Sequence, residues 1–309
     1  MKKLNIILML VLLTSANLFA QQEAMVSQYM FNGLYINPAY AGSQENFSTT
    51  MLFRKQWVRF DGAPSTFTAS VDGPLANNKM GIGFTFSHDQ IGVQKQTDFG
   101  ANYSYNIKLG QGKLAFGIRA GLSTFRASVS ELTYWDLDDP IYSPGDIKGV
   151  TVPRFGFGIY YFVKDKWYAG FSIPTLMGHE KGLGFSMNID KSSYLRRHYM
   201  LTGGYVFSAS ENIKLKPSVL FKYIPSAPFQ ADINFSVMFK DMICAGLSFR
   251  TGDALVAMIE YQASNSFRIG YGYDITVSKL RNYSSGSHEI MIGYDFGKEN
   301  TAIKTPRYF

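Results

Sequence analysis

The chain has 309 residues, a formal net charge of +7 at pH 7 and 46% hydrophobic residues. Its positive charge is scattered and forms no basic run, so the composition does not indicate a nucleic-acid partner. The single cysteine, Cys244, excludes an internal disulfide and a cysteine-based metal site. Aromatic residues make up 16% of the chain and glycines number 29, a composition typical of strands that alternate apolar and small or polar positions.

The first twenty residues have the three parts of a secretory signal peptide. Two lysines precede an apolar run over residues 4–13, and small residues lead to Ala20 before Gln21. The apolar run is shorter than the roughly 20 residues that a membrane-spanning helix needs. We therefore expect export, with cleavage between Ala20 and Gln21, and we exclude residues 1–20 from the fold.

Residues 21–47 follow the signal and precede the first predicted strand. This segment is rich in Tyr, Met, Phe and Asn and carries little charge. Such a segment is costly to leave in water, so we expect it to pack against or inside the structure that the later strands form. Tyr29, Phe31 and Tyr35 are its candidate partner-binding residues, in a plug or in a docking segment. Ordinary structural packing is the alternative.

From residue 48 to residue 296 the sequence repeats a pattern of segments about ten residues long, separated by turn signals. The clearest example is the segment 265–275. Successive side chains of a strand point to opposite sides, and in this segment one side is apolar and the other is small or polar. Its apolar side holds Phe267, Ile269, Tyr271, Tyr273 and Ile275, and its other side holds Ser266, Arg268, Gly270, Gly272 and Asp274. Transmembrane β-strands need about 9–11 residues. The pattern predicts an all-β fold, a transmembrane antiparallel β-barrel of the outer-membrane type.

The predicted barrel has about 14 strands, and bacterial barrels of one chain have an even number. The candidates lie near 48–56, 66–74, 79–88, 97–109, 112–124, 152–163, 166–174, 197–208, 212–224, 228–239, 242–251, 254–262, 265–275 and 287–296. A soluble β-sandwich or solenoid is the competing fold. Its strands are usually shorter, near 5–6 residues.

The connections between these strands alternate in length. The even-numbered connections are all short, and the longer ones are 57–65, 89–96, 125–151, 175–196 and 276–286. Only 225–227 and 252–253 are short where longer ones are expected. Because such barrels have short periplasmic turns and longer outer loops, both termini are predicted to be periplasmic. The segment 21–47 then packs at the periplasmic end, and residues 297–309 form a periplasmic tail.

Two long blocks of sequence are distinctive: residues 27–43, SQYMFNGLYINPAYAGS, and residues 53–66, FRKQWVRFDGAPST. The first resembles the opening, and the second the first strand and loop, of the PorP/SprF family of membrane proteins, which is associated with the type IX secretion system of Bacteroidetes. Shorter matches are VDGPL at 71–75, NYSY at 102–105 and PRYF at 306–309. One small departure is Gly33, where the family more often has proline.

The resemblance implies an outer-membrane accessory subunit of type IX secretion. Such a subunit binds a secreted partner protein with a C-terminal secretion domain and helps to export it or anchor it at the cell surface, in some members for gliding motility. The resemblance also implies contacts with periplasmic or outer-membrane components of the system, besides the lipid bilayer and lipopolysaccharide. A passive outer-membrane channel or hydrophobic-solute transporter is the alternative function.

Two loops carry further candidates for partner binding. The first loop contains Trp57, Arg59, Phe60 and Asp61, and such a cluster is typical of a protein-binding hot spot. Alternatively, Trp57 belongs to the aromatic girdle and an ion pair between Arg59 and Asp61 shapes the loop. The longest connection carries Tyr134 and Trp135, and contact with the secreted partner is the favoured role there.

No catalytic, cofactor or metal site is predicted, so we expect a protein that is not an enzyme. Ser87, His88 and Asp89 are consecutive on a strand, and neighbours on a strand face opposite sides and cannot form a triad. The aspartates of the longest connection do not have the spacing of a calcium loop. Four charged residues are predicted to face the lumen and to pair across it, with a charged pore as the alternative: Arg119, Arg250, Glu260 and Arg268.

Overall fold

The computed structural model describes residues 25–44, 46–75, 78–131, 146–176, 197–225 and 227–296. Within these residues the chain forms fifteen strand segments in one antiparallel sheet. Their bounds are β1 Ser48–Lys55, β2 Ser65–Leu75, β3 Met80–Ile91, β4 Gln94–Leu109, β5 Gly112–Ala127, β6 Ile147–Val163, β7 Trp167–Ile173, β8 Tyr199–Tyr205, β9 Phe207–Ser208, β10 Ile213–Tyr223, β11 Gln230–Phe239, β12 Ile243–Arg250, β13 Ala254–Gln262, β14 Phe267–Thr276 and β15 Ser287–Asp295.

The sheet closes into a barrel. β8 and β9 lie end to end along β10, so the fifteen segments make fourteen barrel strands. Each strand pairs with its neighbour in the chain, and the first pairs with the last, with Ser48 opposite Asp295. Among the described residues, closure gives every barrel strand a neighbour on both sides, which satisfies backbone hydrogen bonds within the bilayer. The predicted antiparallel barrel of about 14 strands is therefore confirmed.

The break between β8 and β9 has a local cause in the partner strand. Pro217 of β10 has no backbone N–H, and a proline removes one hydrogen bond from a ladder. The pairing of β10 with β8 ends at Ser218 and resumes with β9 at Leu215, so Pro217 lies in the gap. Opposite the gap, Val206 leaves the strand and donates its N–H to the carbonyl of Lys166 in the neighbouring turn.

The polarity of the two barrel faces follows the predicted alternation. In β14, Phe267, Ile269 and Ile275 are exposed on the outside, whereas Arg268 and Asp274 are buried on the inside. The other strands repeat the arrangement. Exposed apolar residues on the outer face include Met51, Phe53, Phe84, Ile118, Leu122, Ile233, Phe235, Leu247 and Ile290. Apolar side chains on this face match lipid, and polar side chains fill the interior.

The connections also alternate as predicted, with one correction. The connections 110–111, 164–166, 209–212, 240–242 and 263–266 share one end of the barrel with the strand ends Leu75 and Met80, and this end is here called the short-turn end. The other end is called the long-loop end. The prediction of a longer third connection was wrong. Its flanks stay in the ladder up to the pair between Ile91 and Gln94, and Gly92 turns the chain with a φ of 55°.

The remaining regular structure is short. Residues 29–40 contain two 3-10 turns, Tyr29–Phe31 and Pro38–Tyr40, on either side of α1, Gly33–Ile36. Two further 3-10 turns lie in the long loops, at Val129–Glu131 and Lys279–Asn282. In the part of the chain that the structure describes, no helix has the length and apolar character to cross a membrane.

Candidate functional site

Residues 25–44, here called the N-terminal segment, lie inside the barrel. Leu34, Ala39 and Ala41 have no exposed surface, although they belong to no barrel strand. The segment makes hydrogen bonds with residues of strands on all sides of the lumen, among them Ser70, Asn234 and Glu289. The described residues of the segment therefore fill the lumen and form its core together with the inward side chains.

At the short-turn end the segment is fixed to the wall before it enters β1. The N–H of Gly42 donates to the carboxylate of Asp72 at 3.0 Å, and the hydroxyl of Ser104 donates to the carbonyl of Ala41 at 2.5 Å. Gly117 of β5 lies so close that a Cβ there would overlap the backbone of Ala39. The wall and the segment are thus in direct backbone contact at this end.

In the middle of the lumen, Arg119 of β5 holds the segment by its carbonyl groups. Its guanidinium donates to the carbonyls of Leu34, at 2.5 Å, and Tyr35, at 3.3 Å, and also to the side-chain oxygen of Asn102, at 2.7 Å. The prediction that Arg119 faces the lumen agrees with its burial. Sequence reasoning expected Arg119 to pair with charges across the interior and did not foresee that its partners include backbone carbonyls of the segment.

A buried charge cluster holds the beginning of the segment, and we call Ser27, Arg54, Asp274 and Glu289 the latch cluster. Glu289 accepts the backbone N–H groups of Ser27, at 2.7 Å, and Gln28, at 2.6 Å. Arg54 forms ion pairs with Asp274, at 2.8 Å, and Glu289, at 3.2 Å. The hydroxyl of Ser27 donates to Asp274 and accepts from Arg54. Each charge of the cluster is thereby compensated inside the barrel.

The latch cluster was missed by the sequence analysis, although a signal for part of it was present. The alternation of β14 assigns Asp274 to the inner face, and the same alternation in β15 assigns Glu289 there. Sequence gives no indication that residues 27 and 28 reach these carboxylates, because the contact spans more than 260 positions of the chain.

The cluster lies near the long-loop end, and the segment therefore runs the length of the lumen. Asp274 is close to the end of β14 and Glu289 to the start of β15, and both of these strand ends border the loop 277–286. Met25 continues in the same direction, with its sulfur 3.7 Å from the ammonium of Lys222. The segment packs inside the barrel, as predicted, but the prediction that it packs at the periplasmic end alone is corrected, because it extends to the long-loop end.

The aromatic candidates of the segment face the interior. Tyr29 and Phe31 are each 3% exposed, and Tyr35 is partly buried against the same apolar cluster. The Tyr29 hydroxyl accepts a hydrogen bond from Asn234. The contacts of these side chains hold the segment in the lumen.

The first loop, 56–64, has a defined conformation at the long-loop end. Trp57 and Arg59 have φ values of 41° and 76°, in the left-handed region that bulky residues rarely adopt. Val58 exchanges backbone hydrogen bonds with the loop 277–286, and Gly62 accepts from the N–H of Gly92. Backbone hydrogen bonds therefore shape this loop.

The side chains of the loop differ in accessibility. Trp57 is partly buried, whereas Arg59, Phe60 and Asp61 are exposed. Arg59 and Asp61 are both described and form no ion pair with each other, so the alternative of a loop shaped by that pair is corrected. Several predicted features lie outside the described residues: the signal peptide with Ala20 and Gln21, the tail 297–309, and the loop residues Tyr134 and Trp135.

The other predicted lumen charges also have partners. Arg250 pairs with Asp232 and Asp253, each at 3.3 Å, and Arg268 lies 3.8 Å from Glu260. Among the described residues, no group of three or more His, Cys, Asp or Glu side chains is arranged to hold a metal ion.

Ser87, His88 and Asp89 do not act as one unit. Each hydrogen-bonds to a different residue of a neighbouring strand, namely Asp98, Thr97 and Thr66. The interactions of these three side chains are thus those of strand residues in a barrel wall.

A closed antiparallel barrel with an apolar outer face and a polar, filled interior defines an outer-membrane β-barrel protein. The sequence matches the family model described as type IX secretion system membrane protein PorP/SprF over residues 18–294. The chain therefore belongs to the PorP/SprF family and is an outer-membrane component of the type IX secretion system. Membership of this family suggests a non-enzymatic role.

Comparison with solved structures gives outer-membrane barrels of low identity. The Acinetobacter baumannii outer membrane protein Omp33 is 8% identical with a TM-score of 0.48, and the match covers 82% of this chain and 100% of that one. A Pseudomonas aeruginosa FadL homologue is 10% identical with a TM-score of 0.46, over 87% and 94% of the two chains. A comparison with curated proteins gives no match.

Proposed function

We propose that this protein is an accessory subunit of type IX secretion that binds a secreted partner protein and helps to export it or to anchor it at the cell surface. The observation that carries the proposal is the family match over residues 18–294. The partner is a protein with a C-terminal secretion domain, and the mechanism is non-covalent capture. Delivery to the membrane uses a signal peptide that is cleaved between Ala20 and Gln21.

The orientation in the membrane follows from the lengths of the connections. Short turns of outer-membrane barrels face the periplasm and longer loops face outward. The short-turn end, where β1 begins and β15 ends, is then periplasmic and meets other components of the secretion system. The long-loop end is then the surface that meets the secreted partner, with Arg59, Phe60 and Asp61 exposed on its first loop.

A passive channel or hydrophobic-solute transporter is the second candidate function. Such a protein needs a continuous path, and the N-terminal segment occupies the lumen with residues such as Leu34 and Ala39 that have no exposed surface. This filling favours the partner-binding role. A channel would require the segment to leave the lumen first.

Deletion of the gene tests the proposal, with mass spectrometry of the cell surface and of the culture medium as the readout. We expect the loss from the surface of one or a few large proteins that carry a C-terminal secretion domain, and their return on complementation. An unchanged surface proteome would contradict the proposal. Solute uptake is measured in the same strains, and a loss of uptake on deletion would indicate the transporter alternative.

A further inference from the structure

A cavity of about 570 Å³ lies at the long-loop end, and we call it the vestibule. Its floor is the beginning of the N-terminal segment, with Met25, Val26 and Tyr29. Its sides are the strand ends and loops around that mouth, including Trp57 and Leu280. The volume falls within the range of roughly 300–1,000 Å³ that is typical of binding pockets.

Part of the vestibule lining is apolar. Ile36, Met200, Leu220 and Ile224 form it together, and each is less than 10% exposed in the absence of an occupant. Leu280 adds a partly buried apolar side chain from the loop 277–286. These side chains offer no hydrogen-bonding groups, so a charged or polar group that entered here would lose its hydration without compensation, and this lining suits an apolar occupant.

Four charged side chains that line the vestibule already have partners, namely Lys222, Arg250, Asp253 and Asp89. Lys222 lies 3.2 Å from Asp232, and Arg250 pairs with Asp232 and Asp253, each at 3.3 Å. Asp89 accepts a hydrogen bond from Thr66. A charged occupant would compete with these pairs and pay its own desolvation cost, whereas an uncharged apolar group would leave them intact. These pairings therefore favour a neutral, apolar occupant.

We propose that the vestibule receives apolar or aromatic side chains of the secreted partner protein, which anchor it at the long-loop end. The inference rests on the proposed function and adds to it the position and the chemistry of the contact. Buried apolar and aromatic anchors commonly dominate the affinity of protein interfaces. The anchored side chains would rest directly on Met25 and Val26, at the beginning of the N-terminal segment.

Photo-cross-linking of the full chain in its native outer membrane tests the proposal. The photoreactive residue p-benzoylphenylalanine replaces Leu280, which lines the vestibule, or Tyr283, which is 69% exposed on the same loop. Tyr283 does not line the cavity and serves as the matched control. Cross-linked peptides are identified by mass spectrometry. A sample that is not irradiated is purified in parallel, to record whether a partner is recovered at all.

The expected result is an adduct from position 280, and not from position 283, on an apolar stretch of the recovered partner. A partner recovered with no adduct at position 280, or with one on a charged stretch, would overturn the vestibule as anchor site and leave the proposed function standing. An adduct on a lipid or small molecule would also overturn it, in favour of a solute site. Failure to recover any partner would overturn both proposals.

A second pair of variants measures the energy of the contact. We expect Leu280→Asp to weaken partner binding at least tenfold, because it places a charge in an apolar site whose ions are already paired. Tyr283→Asp makes the same chemical change outside the vestibule and is expected to bind within twofold of the unmodified protein. Equal effects of the two substitutions would contradict the anchor site.

Discussion

Glu289 of β15 accepts a hydrogen bond from the backbone N–H of Ser27 at 2.7 Å, although the two residues are 262 positions apart. The same carboxylate accepts the N–H of Gln28 at 2.6 Å and pairs with Arg54 at 3.2 Å. One buried side chain of the wall therefore holds two consecutive backbone donors of the N-terminal segment. Hydrogen bonds to charged groups contribute roughly 1.5–3 kcal/mol each, so Glu289 contributes strongly to the attachment of the segment at the long-loop end.

Substitution of Glu289 by alanine should release the beginning of the segment. The change leaves the N–H groups of residues 27 and 28 and the guanidinium of Arg54 without this acceptor. We expect Val26→Cys to react with a maleimide at least tenfold faster in the Glu289→Ala background, a factor that corresponds to about 1.4 kcal/mol. The native Cys244 is replaced by serine beforehand, so that only one thiol reacts.

The matched control for this measurement is Glu211→Ala. Glu211 is an exposed glutamate in a turn at the short-turn end. Its removal should leave the labelling rate of Val26→Cys unchanged. Equal rates in the Glu289→Ala and parent backgrounds would show that the carboxylate does not hold the segment.

Deletion of residues 25–40 should open the barrel. The inward side chains left behind are polar, as in Thr50, Thr68 and Ser70, so the emptied lumen would fill with water. We expect discrete conductance steps in planar bilayers for the deletion variant and none for the full chain. Circular dichroism of the purified variant verifies that the sheet is retained. Equal conductance of the two proteins would contradict a filled lumen.

Replacement of Arg119 by lysine should not preserve its role. The guanidinium reaches the carbonyls of Leu34 and Tyr35 and the side chain of Asn102 with separate N–H groups, and a lysine ammonium lacks that planar fork. We expect Arg119→Lys and Arg119→Ala both to lower the free energy of unfolding by about 2 kcal/mol or more. Urea titrations of the protein in detergent measure this change. Arg126→Ala, at an exposed position of the same strand, is the control and should change little.

The contact of Gly117 with Ala39 gives a test of close packing between wall and segment. A methyl group at position 117 would overlap the backbone of Ala39, so Gly117→Ala should displace the turn Pro38–Tyr40 and lower the thermal midpoint. At Gly203 a Cβ would meet only the carbonyl oxygen of Tyr168, at an ordinary 3.5 Å. Gly203→Ala is therefore expected to be neutral, and similar midpoints for both variants would contradict this packing.

The exposed side chains of the first loop should contribute to partner binding without supporting the barrel. Arg59 and Phe60 lie on the surface, and the loop is shaped by backbone hydrogen bonds that alanine retains. We expect the double variant Arg59→Ala, Phe60→Ala to recover less partner, by about 30-fold if one hot spot of roughly 2 kcal/mol is lost. The thermal midpoint should not change. Full recovery of the partner would show that these side chains do not contribute to binding.

The strands and their faces could be predicted from the sequence because their cause is local. In β14 the alternation between Ile269 or Tyr271 and Arg268 or Asp274 is a property of adjacent residues. Strand ends were less predictable, as β3 and β4 show. Polar residues such as Gln90 and Lys95 look like a loop, but they continue the ladder beyond the predicted strand ends.

The course of the N-terminal segment could not be predicted in the same way. Its composition indicated packing, but its path depends on partners that lie far away in sequence, such as Arg119 and Glu289. A periodic pattern identifies which wall residues face inward and says nothing about what they meet there. The filling of the lumen depends on long-range contacts such as those of Ser27 with Glu289 and of Gly42 with Asp72, which no local pattern encodes.

Affinity purification from native outer membranes, followed by mass spectrometry, tests the central claim most directly. The protein is tagged at its carboxyl terminus and extracted in mild detergent, with an unrelated tagged outer-membrane barrel as the control. We predict specific recovery of a large secreted protein with a C-terminal secretion domain, alone or with other components of the secretion system. Recovery of the barrel alone, with no partner above the control, would contradict a role in binding secreted protein.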